Sequence, residues 1–342
     1  MQKVLIVKTT SLGDLIHTMP AVNDFSLNRP DIECHWLVEE AFHQVPLWHP
    51  FIKKVHTCAV RRWRKHFFHP STNVEIRALK QALLAENYDL VIDAQGLFKS
   101  AMMVRWLTCD KAGYDRHSIR EPIASFFYNR KFSISRKLTA IDRNRTLFAK
   151  ALGYSVPQSL AFGLCVPKPD TLNAQVQKPF GLFLHGTNWS SKIWPQSHWQ
   201  QLAVLLHEEG YHAYLPFGDD QEKAVACAIA QQSPAEVLPK LSLAELAYLI
   251  QQATFVIGSD TGLSHIAAAL DTVTIGLYGS TNPMLTGLVG RQVKNLQTRV
   301  DCAPCMQKDC PKVNAGDPPP CYDSLPPVVV FNALKSELMT KP

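Results

Sequence analysis

The chain has 342 residues, of which 46% are hydrophobic and 19% charged, a composition typical of a soluble globular protein. This length is sufficient for two domains of ordinary size, each with its own core. No apolar run is long enough to span a bilayer, and the short apolar run at residues 4–7 predicts a first buried strand rather than a signal peptide. We therefore expect a cytoplasmic location, and nine mostly isolated cysteines do not argue against it.

Basic charge is concentrated in the first half of the chain. Residues 1–150 contain 23 Lys and Arg against 14 Asp and Glu, a net charge of +9, whereas residues 151–342 contain 12 against 15, a net charge of −3. The first half should therefore meet an acidic partner, which leaves three classes: nucleic acid, an anionic membrane surface, or a phosphorylated or carboxylated substrate.

Hydrophobic periodicity predicts two α/β halves. In the first half it predicts strands at 4–7, 35–38 and 90–93 and helices at 15–27, 74–86 and 97–107. In the second half it predicts strands at 181–185, 213–216, 255–257 and 273–277 and helices at 197–209, 222–232, 243–251 and 266–270. This alternation is typical of parallel sheets with crossover helices.

Four prolines between residues 156 and 179 interrupt the pattern and predict a linker. The predicted organisation is a first domain at 1–155, the linker at 156–179, a second domain at 180–327 and a final helix at 328–342. Two α/β domains suggest a cleft between them, and ligands of open α/β sheets bind outside the carboxyl ends of the strands.

The segment from Ser259 to His265 follows a predicted strand and opens a helix of small residues. An Asp260-Thr261-Gly262 turn at a helix start leaves backbone N–H groups available, which predicts an anion site. The alternative is an ordinary turn in which Asp260 or Thr261 only caps the helix.

Two further residues become stronger candidates for the same site because of their order in the chain relative to that turn. Lys192 follows the strand end at His185-Gly186-Thr187 and carries a compact charge suited to a diphosphate. Glu222 comes after the next strand, where an acidic residue commonly accepts hydrogen bonds from ribose hydroxyls.

The first predicted strand runs into Lys8-Thr9-Thr10-Ser11-Leu12-Gly13-Asp14, which is neither a Walker loop nor a dinucleotide fingerprint. A carboxylate at a helix start stays ionised near neutrality, so Asp14 is a candidate general base. The alternative is a purely capping role.

Arg61-Arg62-Trp63-Arg64-Lys65, with Phe67 and Phe68 close behind, is the densest basic cluster. Guanidinium groups bind carboxylates and phosphates, and the aromatic residues suit a membrane interface or a sugar ring. The alternative is a solvated charged loop. No recognised nucleic-acid-binding module accompanies the cluster, so nucleic acid is not an expected partner.

Four of the cysteines cluster late in the chain, at Cys302, Cys305, Cys310 and Cys321. Their spacing leaves two alternatives open, a structural zinc site and reduced thiols in a surface loop. A catalytic zinc is not expected, because four thiolates leave no open coordination position.

Taken together, these motifs resemble the glycosyltransferase family that includes the ADP-heptose transferases. The resemblance extends over nearly the whole chain, from the 7–14 segment through Trp36-Leu37-Val38-Glu39-Glu40, the basic cluster, Asp93-Ala94-Gln95-Gly96 and Arg120-Glu121-Pro122 to Lys192-Ile193-Trp194-Pro195 and the Ser259–His265 segment.

This resemblance implies a GT-B fold, two Rossmann-like domains with parallel sheets facing across a cleft. It also implies transfer of L-glycero-D-manno-heptose from ADP-heptose to the first Kdo of Kdo-lipid A, with inversion and with no required metal or cofactor. The acceptor and the basic half imply peripheral attachment to the cytoplasmic face of the inner membrane.

Site residues are carried over by position. Asp14 matches the base; Lys192, Thr261 and Gly262 match the diphosphate site; Thr187 and Asp260 border the donor; Glu222 matches the ribose site and His265 the donor-site histidine. Six basic residues match the acceptor site: Arg61, Arg62, Arg64, Lys65, Arg120 and Arg143.

Three alternatives remain at this level. A sister transferase that adds the second heptose or a related sugar would share the donor residues and differ on the acceptor surface of the first domain. A non-catalytic nucleotide-sugar or membrane-surface binding protein would not need Asp14. A nucleic-acid-binding protein would show salt-dependent affinity that the sugar nucleotide does not alter.

Overall fold

A computed structural model describes residues 2–66, 69–314 and 317–339. The chain forms two compact units, Met1–Cys165 and Val166–Pro342. The division lies inside residues 156–179, and residues 154–179 contain no helix or strand. The exact domain boundaries that we derived from the sequence stay a prediction.

Unit 1 is a six-stranded parallel sheet with helices. Its strands are β1 (Lys3–Val7), β2 (Glu33–Glu39), β3 (Ile52–Cys58), β4 (Leu90–Asp93), β5 (Asp110–Tyr114) and β6 (Arg130–Phe132). Its α-helices are α1 (Leu12–Ile16), α2 (Met19–Asn28), α3 (Gln44–Leu47), α4 (Val60–Lys65), α5 (Pro70–Ala85), α6 (Phe98–Val104) and α7 (Ala140–Leu152), and 3₁₀ turns span Glu40–Phe42 and Pro122–Phe127.

Unit 2 repeats this architecture. Its strands are β7 (Phe180–Leu184), β8 (His212–Leu215), β9 (Glu236–Val237), β10 (Phe255–Ser259), β11 (Val273–Tyr278) and β12 (Val293–Gln297). Its α-helices are α8 (Gln196–Glu208), α9 (Asp220–Ala230), α10 (Leu243–Gln252), α11 (Gly262–Ala269), α12 (Pro283–Thr286) and α13 (Pro327–Met339), with 3₁₀ turns at Ser190–Lys192 and Pro320–Ser324.

Both sheets have the Rossmann strand order. Sheet 1 is β3-β2-β1-β4-β5-β6, and sheet 2 is β12-β11-β10-β7-β8-β9, which is the same order listed from the opposite edge. All strand pairs are parallel. The order reverses between β1 and β4 in unit 1 and between β7 and β10 in unit 2. A crevice for ligand therefore opens at the carboxyl ends of these two strand pairs.

Each unit has its own apolar core. The first contains Leu5, Leu37 and Val91 from the central strands, packed against helical residues such as Leu83. The second is centred on Phe183, Trp194 and Trp199, with the Trp194 and Trp199 rings in an edge-to-face contact at 4.8 Å. Two cores of this kind hold the strand ends, and hence the polar turns that follow them, in fixed positions.

Several element predictions were wrong. The helix predicted at 15–27 is two helices, because residues 17 and 18 separate α1 from α2. The helix predicted at 266–270 begins four residues earlier, at Gly262. Strands β3, β5, β6, β9 and β12 and helix α7 were not predicted. Four of these strands are short or polar, and β3 places Lys53 and Lys54 side by side, so none shows a continuous apolar run.

Candidate active site

Asp14 lies on α1, directly after the turn that leaves β1. Its Oδ2 accepts hydrogen bonds from the Ser11 backbone N–H at 2.7 Å and from the Ser11 hydroxyl at 3.1 Å. Asp14 therefore does cap its own helix. It also lines a cavity of about 170 Å³. A substrate could therefore reach the carboxylate even though it caps the helix.

This cavity gathers three of the predicted site residues, Asp14, Arg120 and Arg143. The Arg143 guanidinium lies 4.7 Å from the centre of the Tyr114 ring and donates a hydrogen bond to the Ser118 carbonyl at 2.6 Å. Arg120 is exposed. A carboxylate base beside two guanidinium groups suits an acceptor that carries both a reactive hydroxyl and negative charge.

Lys8, which the sequence analysis did not assign to the site, sets the electrostatics of the cavity. Its side chain is buried, and its Nζ donates to the Ala94 carbonyl at 3.0 Å. Burial lowers the pKa of Lys8, although the carboxylates of Asp14 and Asp93 oppose that shift.

Burial and the attraction between Lys8 and Asp14 also determine the charge of Asp14. Burial alone would raise the pKa of Asp14, but the Lys8 charge and the hydrogen bonds from Ser11 outweigh it and hold the pKa below its usual value. Asp14 is therefore ionised at neutral pH, the form that a general base requires.

Gln95 and Asp93 position the turn that carries Asp14. Gln95 Oε1 accepts hydrogen bonds from the backbone N–H groups of Thr9 and Thr10 at 2.8 and 3.0 Å. Buried Asp93 accepts from the Gln95 N–H at 2.9 Å and from the Tyr128 hydroxyl at 2.7 Å. The sequence contained a signal for both residues, because Asp93 ends the otherwise apolar strand β4 and Gln95 follows it, but the sequence analysis did not assign either to the site.

The basic cluster is a helix rather than the solvated loop considered above. Residues 60–65 form α4 because Trp63 packs into the core, with 8% of its surface exposed. Arg62 forms ion pairs with Glu40 at 3.0 Å and Glu75 at 2.9 Å. Within the described part of the chain, the Asp14 cavity is not lined by Arg61, Arg62, Arg64 or Lys65. Phe67 and Phe68 lie outside the described residues.

In unit 2 the structure gathers Lys192, Asp260 and His265. The Lys192 ammonium lies 2.9 Å from Asp260 Oδ2 and 3.1 Å from the Asp260 carbonyl. His265 Nε2 lies 3.3 Å from Asp260 Oδ1. Burial would raise the pKa of Asp260, but the hydrogen bond to His265 and the charge of Lys192 outweigh it, so the pKa lies well below its usual value.

Thr261 is the residue before α11, and Gly262 is the first residue of that helix. The Thr261 side chain forms no capping hydrogen bond; its hydroxyl lies 3.3 Å from the Ser264 hydroxyl. Thr261 therefore occupies the N-cap position of α11 without a side-chain capping hydrogen bond. The first N–H groups of α11, beside Lys192, form a suitable place for a diphosphate.

A separate cavity of about 360 Å³ in unit 2 is lined by Thr187 and Glu222, together with Lys308 and Asp309. Glu222 Oε2 accepts a hydrogen bond from the Gly218 N–H at 2.7 Å, and the Glu222 carbonyl lies 3.1 Å from His185 Nε2. A Cβ on Gly186 would lie 2.3 Å from Glu222 Oε1, so only glycine at this strand end allows the carboxylate to approach.

The cysteine-rich segment supports this part of unit 2. The Ser191 N–H donates to the Lys308 carbonyl at 3.1 Å, and the Ser191 hydroxyl donates to the Gln307 carbonyl at 2.6 Å. All nine cysteines are free thiols. Burial, and then the neighbouring thiols of Cys310, Cys302 and Cys305, raise the pKa of Cys321 to about 11. These four thiols are not among the side chains that the described part of the chain brings close enough together to hold one metal ion.

Within the described part of the chain, the group of possible metal ligands that lie close enough to share one ion is His35, His56 and Glu86. The Tyr88 hydroxyl lies between the two imidazoles, 2.8 Å from His35 Nδ1 and 2.9 Å from His56 Nε2. Glu86 pairs with Lys3 and Lys54. These side chains therefore satisfy one another, and the cluster is structural. No helix within residues 2–66, 69–314 and 317–339 combines the length and apolar character needed to cross a membrane.

Comparison with known proteins identifies the family. The model of glycosyltransferase family 9 (heptosyltransferase) matches residues 76–315. Lipopolysaccharide heptosyltransferase 1 of Pseudomonas aeruginosa is 44% identical over 311 residues, which is 90% of this chain and 87% of that protein.

Two solved structures of the E. coli heptosyltransferase WaaC are similar to this chain at 38% identity. The complex with ADP has a TM-score of 0.86 and covers 98% of this chain and 100% of that one. The complex with ADP-2-deoxy-2-fluoro heptose has a TM-score of 0.83 and covers 98% and 99%. The resemblance read from the motifs and the expected α/β fold of the GT-B type are therefore confirmed. The protein is a glycosyltransferase, and the chain belongs to glycosyltransferase family 9, the heptosyltransferases.

Proposed function

We propose that this protein transfers L-glycero-D-manno-heptose from ADP-heptose to the first Kdo of Kdo-lipid A, with inversion at the sugar carbon, in synthesis of the lipopolysaccharide inner core. The observation that carries this proposal is the pair of sites at the two Rossmann switch points, one with an ionised carboxylate among guanidinium groups and one with the elements of a diphosphate site. The E. coli relative in complex with ADP and with a fluorinated ADP-heptose supports the choice of donor.

Asp14 acts as the base. Its carboxylate removes the proton of the acceptor hydroxyl while that oxygen forms a bond to the anomeric carbon of the heptose, and the bond from this carbon to the ADP oxygen breaks. Attack from the face opposite ADP inverts the anomeric configuration. The depressed pKa of Asp14 keeps the base deprotonated over the neutral range.

The ADP leaving group gains negative charge as it departs. Lys192 and the N–H groups at the start of α11, beginning with Gly262, stabilise that charge, and Thr261 adds a hydroxyl. Asp260 holds the Lys192 ammonium at 2.9 Å, so it orients the cation. Glu222 and Thr187 contact the nucleoside end of the donor in the neighbouring cavity.

Arg120 and Arg143 bind the acidic groups of the acceptor next to Asp14, and Arg61, Arg64 and Lys65, exposed on α4, add to the positive charge of unit 1. Arg62 contributes less, because Glu40 and Glu75 already balance its charge. The acceptor is anchored in a bilayer, so we place the protein in the cytoplasm, bound peripherally to the inner membrane, where its basic half attracts anionic lipid.

ADP release tests this proposal. Wild type and Asp14→Ala are incubated with ADP-heptose, with and without Kdo-lipid A. We expect acceptor-dependent release by wild type and at least a hundredfold slower release by the variant, because a general base contributes about two to four orders of magnitude. The Kd of ADP-heptose should remain nearly unchanged.

Near-normal turnover by Asp14→Ala would rule out the base assignment. Tight donor binding without release on this acceptor would instead favour the sister transferase, and the same assay with a heptosylated acceptor would detect it. Affinity for DNA or RNA that ADP-heptose does not alter would instead indicate that the basic half binds nucleic acid.

A further inference from the structure

The 3₁₀ turn Pro122–Phe127 exposes apolar side chains. Ile123 is 55% exposed and Phe126 is 77% exposed. These two residues are three positions apart, and side chains at this spacing lie on the same side of a 3₁₀ helix. Ala124 and Ser125, on the other side, are buried. The turn is therefore anchored to unit 1 by its small residues and presents its large apolar ones to solvent.

Helix α6 adds a third apolar side chain to this surface. Phe98 is 41% exposed, and its ring lies 5.9 Å from that of Phe127 in an edge-to-face contact. The Phe98 backbone N–H donates to Glu121 at 2.7 Å, which ties the start of α6 to the start of the 3₁₀ turn. We call Phe98, Ile123 and Phe126 the apolar patch.

Basic residues flank the apolar patch on both sides along the chain. Arg116 and Arg120 precede the 3₁₀ turn, and Lys131 follows it; all three are exposed. They belong to the half of the chain with a net charge of +9. Exposed aromatic and aliphatic side chains with exposed cations before and after them in the chain are the composition of a surface that lies in the headgroup region of an anionic membrane.

The apolar patch adjoins the Asp14 cavity. Arg120, two residues before the 3₁₀ turn, lines that cavity, and so does Gly96, two residues before Phe98. The backbone N–H of Glu121 donates to the Gly96 carbonyl at 3.3 Å, which joins the two segments. A lipid surface in contact with the patch would therefore lie beside the cavity that holds the base.

We propose that the apolar patch is the membrane-docking surface of this enzyme. Ile123, Phe126 and Phe98 enter the boundary between headgroups and acyl chains of an anionic bilayer, while Arg116 and Lys131 bind lipid phosphates. Docking in this way presents the sugar of a lipid-anchored acceptor to Asp14. The inference rests on the proposed function, since it assumes an acceptor held in a membrane, and it adds an apolar contact to the electrostatic attraction.

Binding to vesicles tests the docking surface directly. Sedimentation with vesicles of phosphatidylethanolamine and phosphatidylglycerol compares wild type with Ile123→Ser/Phe126→Ser. We expect the double variant to bind about tenfold or more weakly, because two exposed apolar side chains no longer leave water. Val74→Ser is the matched control, because Val74 is 63% exposed on α5 and lies outside the patch; its binding should equal that of wild type.

Activity separates docking from chemistry. On a deacylated, water-soluble Kdo acceptor, the double variant should keep the kcat/KM of wild type, since none of its changed residues lines the Asp14 cavity. On Kdo-lipid A in the anionic vesicles, its kcat/KM should fall about tenfold. Failure of wild type on both acceptors would reject the proposed function, whereas vesicle binding would still report on the patch.

Three results would overturn the proposal. The double variant could bind anionic vesicles as wild type does, which would leave the attraction purely electrostatic. It could lose activity equally on the soluble acceptor, which would make the patch part of the acceptor site. Sedimentation equilibrium could reveal a wild-type dimer that the variant does not form, which would make the patch an interface between two copies of this chain.

Discussion

A buried lysine determines the charge of the proposed base. Lys8 follows β1 and Asp14 lies on the next helix, α1. Burial acts on the two groups in opposite directions: it lowers the pKa of the lysine and raises that of the aspartate. Their mutual attraction offsets part of both shifts. The base therefore works as one half of an ion pair rather than as an isolated carboxylate.

We predict that Lys8→Met moves the acid limb of the kcat profile upward. Without the ammonium, burial is the largest remaining effect on Asp14 and raises its pKa. Activity should then fall on acidification at a higher pH than in wild type. The measurement is kcat from pH 4.5 to 9 with both substrates saturating.

Lys80→Met, a lysine on α5 whose ammonium faces the Trp106 ring, is the control and should keep the wild-type profile. If Lys8→Met lowers kcat equally at every pH, Lys8 acts on the position of Asp14 and not on its proton.

At the scale of secondary-structure elements, the site residues lie at or just after the ends of strands. In unit 1 the turns after β1 and β4 supply Asp14 and Gln95, and in unit 2 the segments after β7 and β10 supply Lys192 and Asp260. The strands in each pair are adjacent and parallel, so both turns emerge at the same edge. This arrangement explains why the motifs that contain Asp14, Lys192 and Asp260 follow predicted strands.

We predict that Gly186→Ala weakens donor binding by displacing Glu222. The added Cβ would clash with Glu222 Oε1, so the carboxylate must shift from its present position at the cavity. The Kd of ADP, measured by calorimetry, should rise about tenfold, the cost of one misplaced hydrogen-bonding group.

A double-mutant cycle checks that cause. In a Glu222→Ala background the same Gly186→Ala change should have little further effect, because the group that it displaces is already gone. Additive losses in the double variant would mean that Gly186→Ala disturbs β7 or its turn by another route.

Elements were predicted well where their apolar residues form continuous runs. Strands β1, β4, β7, β10 and β11 are buried on both faces and were all predicted. Strands β3, β6, β9 and β12 lie at or next to the sheet edges and expose part of their side chains, so their sequences lack that signal. The basic cluster became a helix because of a tertiary contact, the burial of Trp63.

At the scale of the whole molecule, the chain consists of two units with separate cores. Residues 167–172 are mostly exposed and have no helix or strand. After them, the Asn173 N–H donates to Glu245 at 3.1 Å and the Gln177 N–H donates to the Tyr214 hydroxyl at 3.0 Å, so the chain is tied to unit 2 from residue 173 onward.

We predict that limited proteolysis with subtilisin first cuts between residues 167 and 172 and leaves two resistant fragments. Proteases need a segment that can adapt to their active site, and exposed chain without backbone pairing provides one. Mass spectrometry and N-terminal sequencing would locate the cut. A first cut inside a helix or strand of either unit would contradict the assignment of two independent cores.

The sequence by itself determined the fold class, and it predicted a two-part organisation and the residues that we propose for the donor site. These properties depend on local patterns: alternating buried strands and helices, glycine and hydroxyl residues after strand ends, and motifs within a few residues of one another. Asp260, Thr261, Gly262 and His265, for example, lie within one turn and the helix that follows it.

Tertiary structure decided the environment of those residues. Lys8 and Gln95 enter the Asp14 site through hydrogen bonds between segments 86 positions apart, Arg62 meets Glu40 and Glu75, and Phe98 meets the 3₁₀ turn. Such contacts depend on which strands become neighbours in the sheet. The charge of the base, the balance of the basic cluster and the apolar patch therefore become visible only in the folded chain.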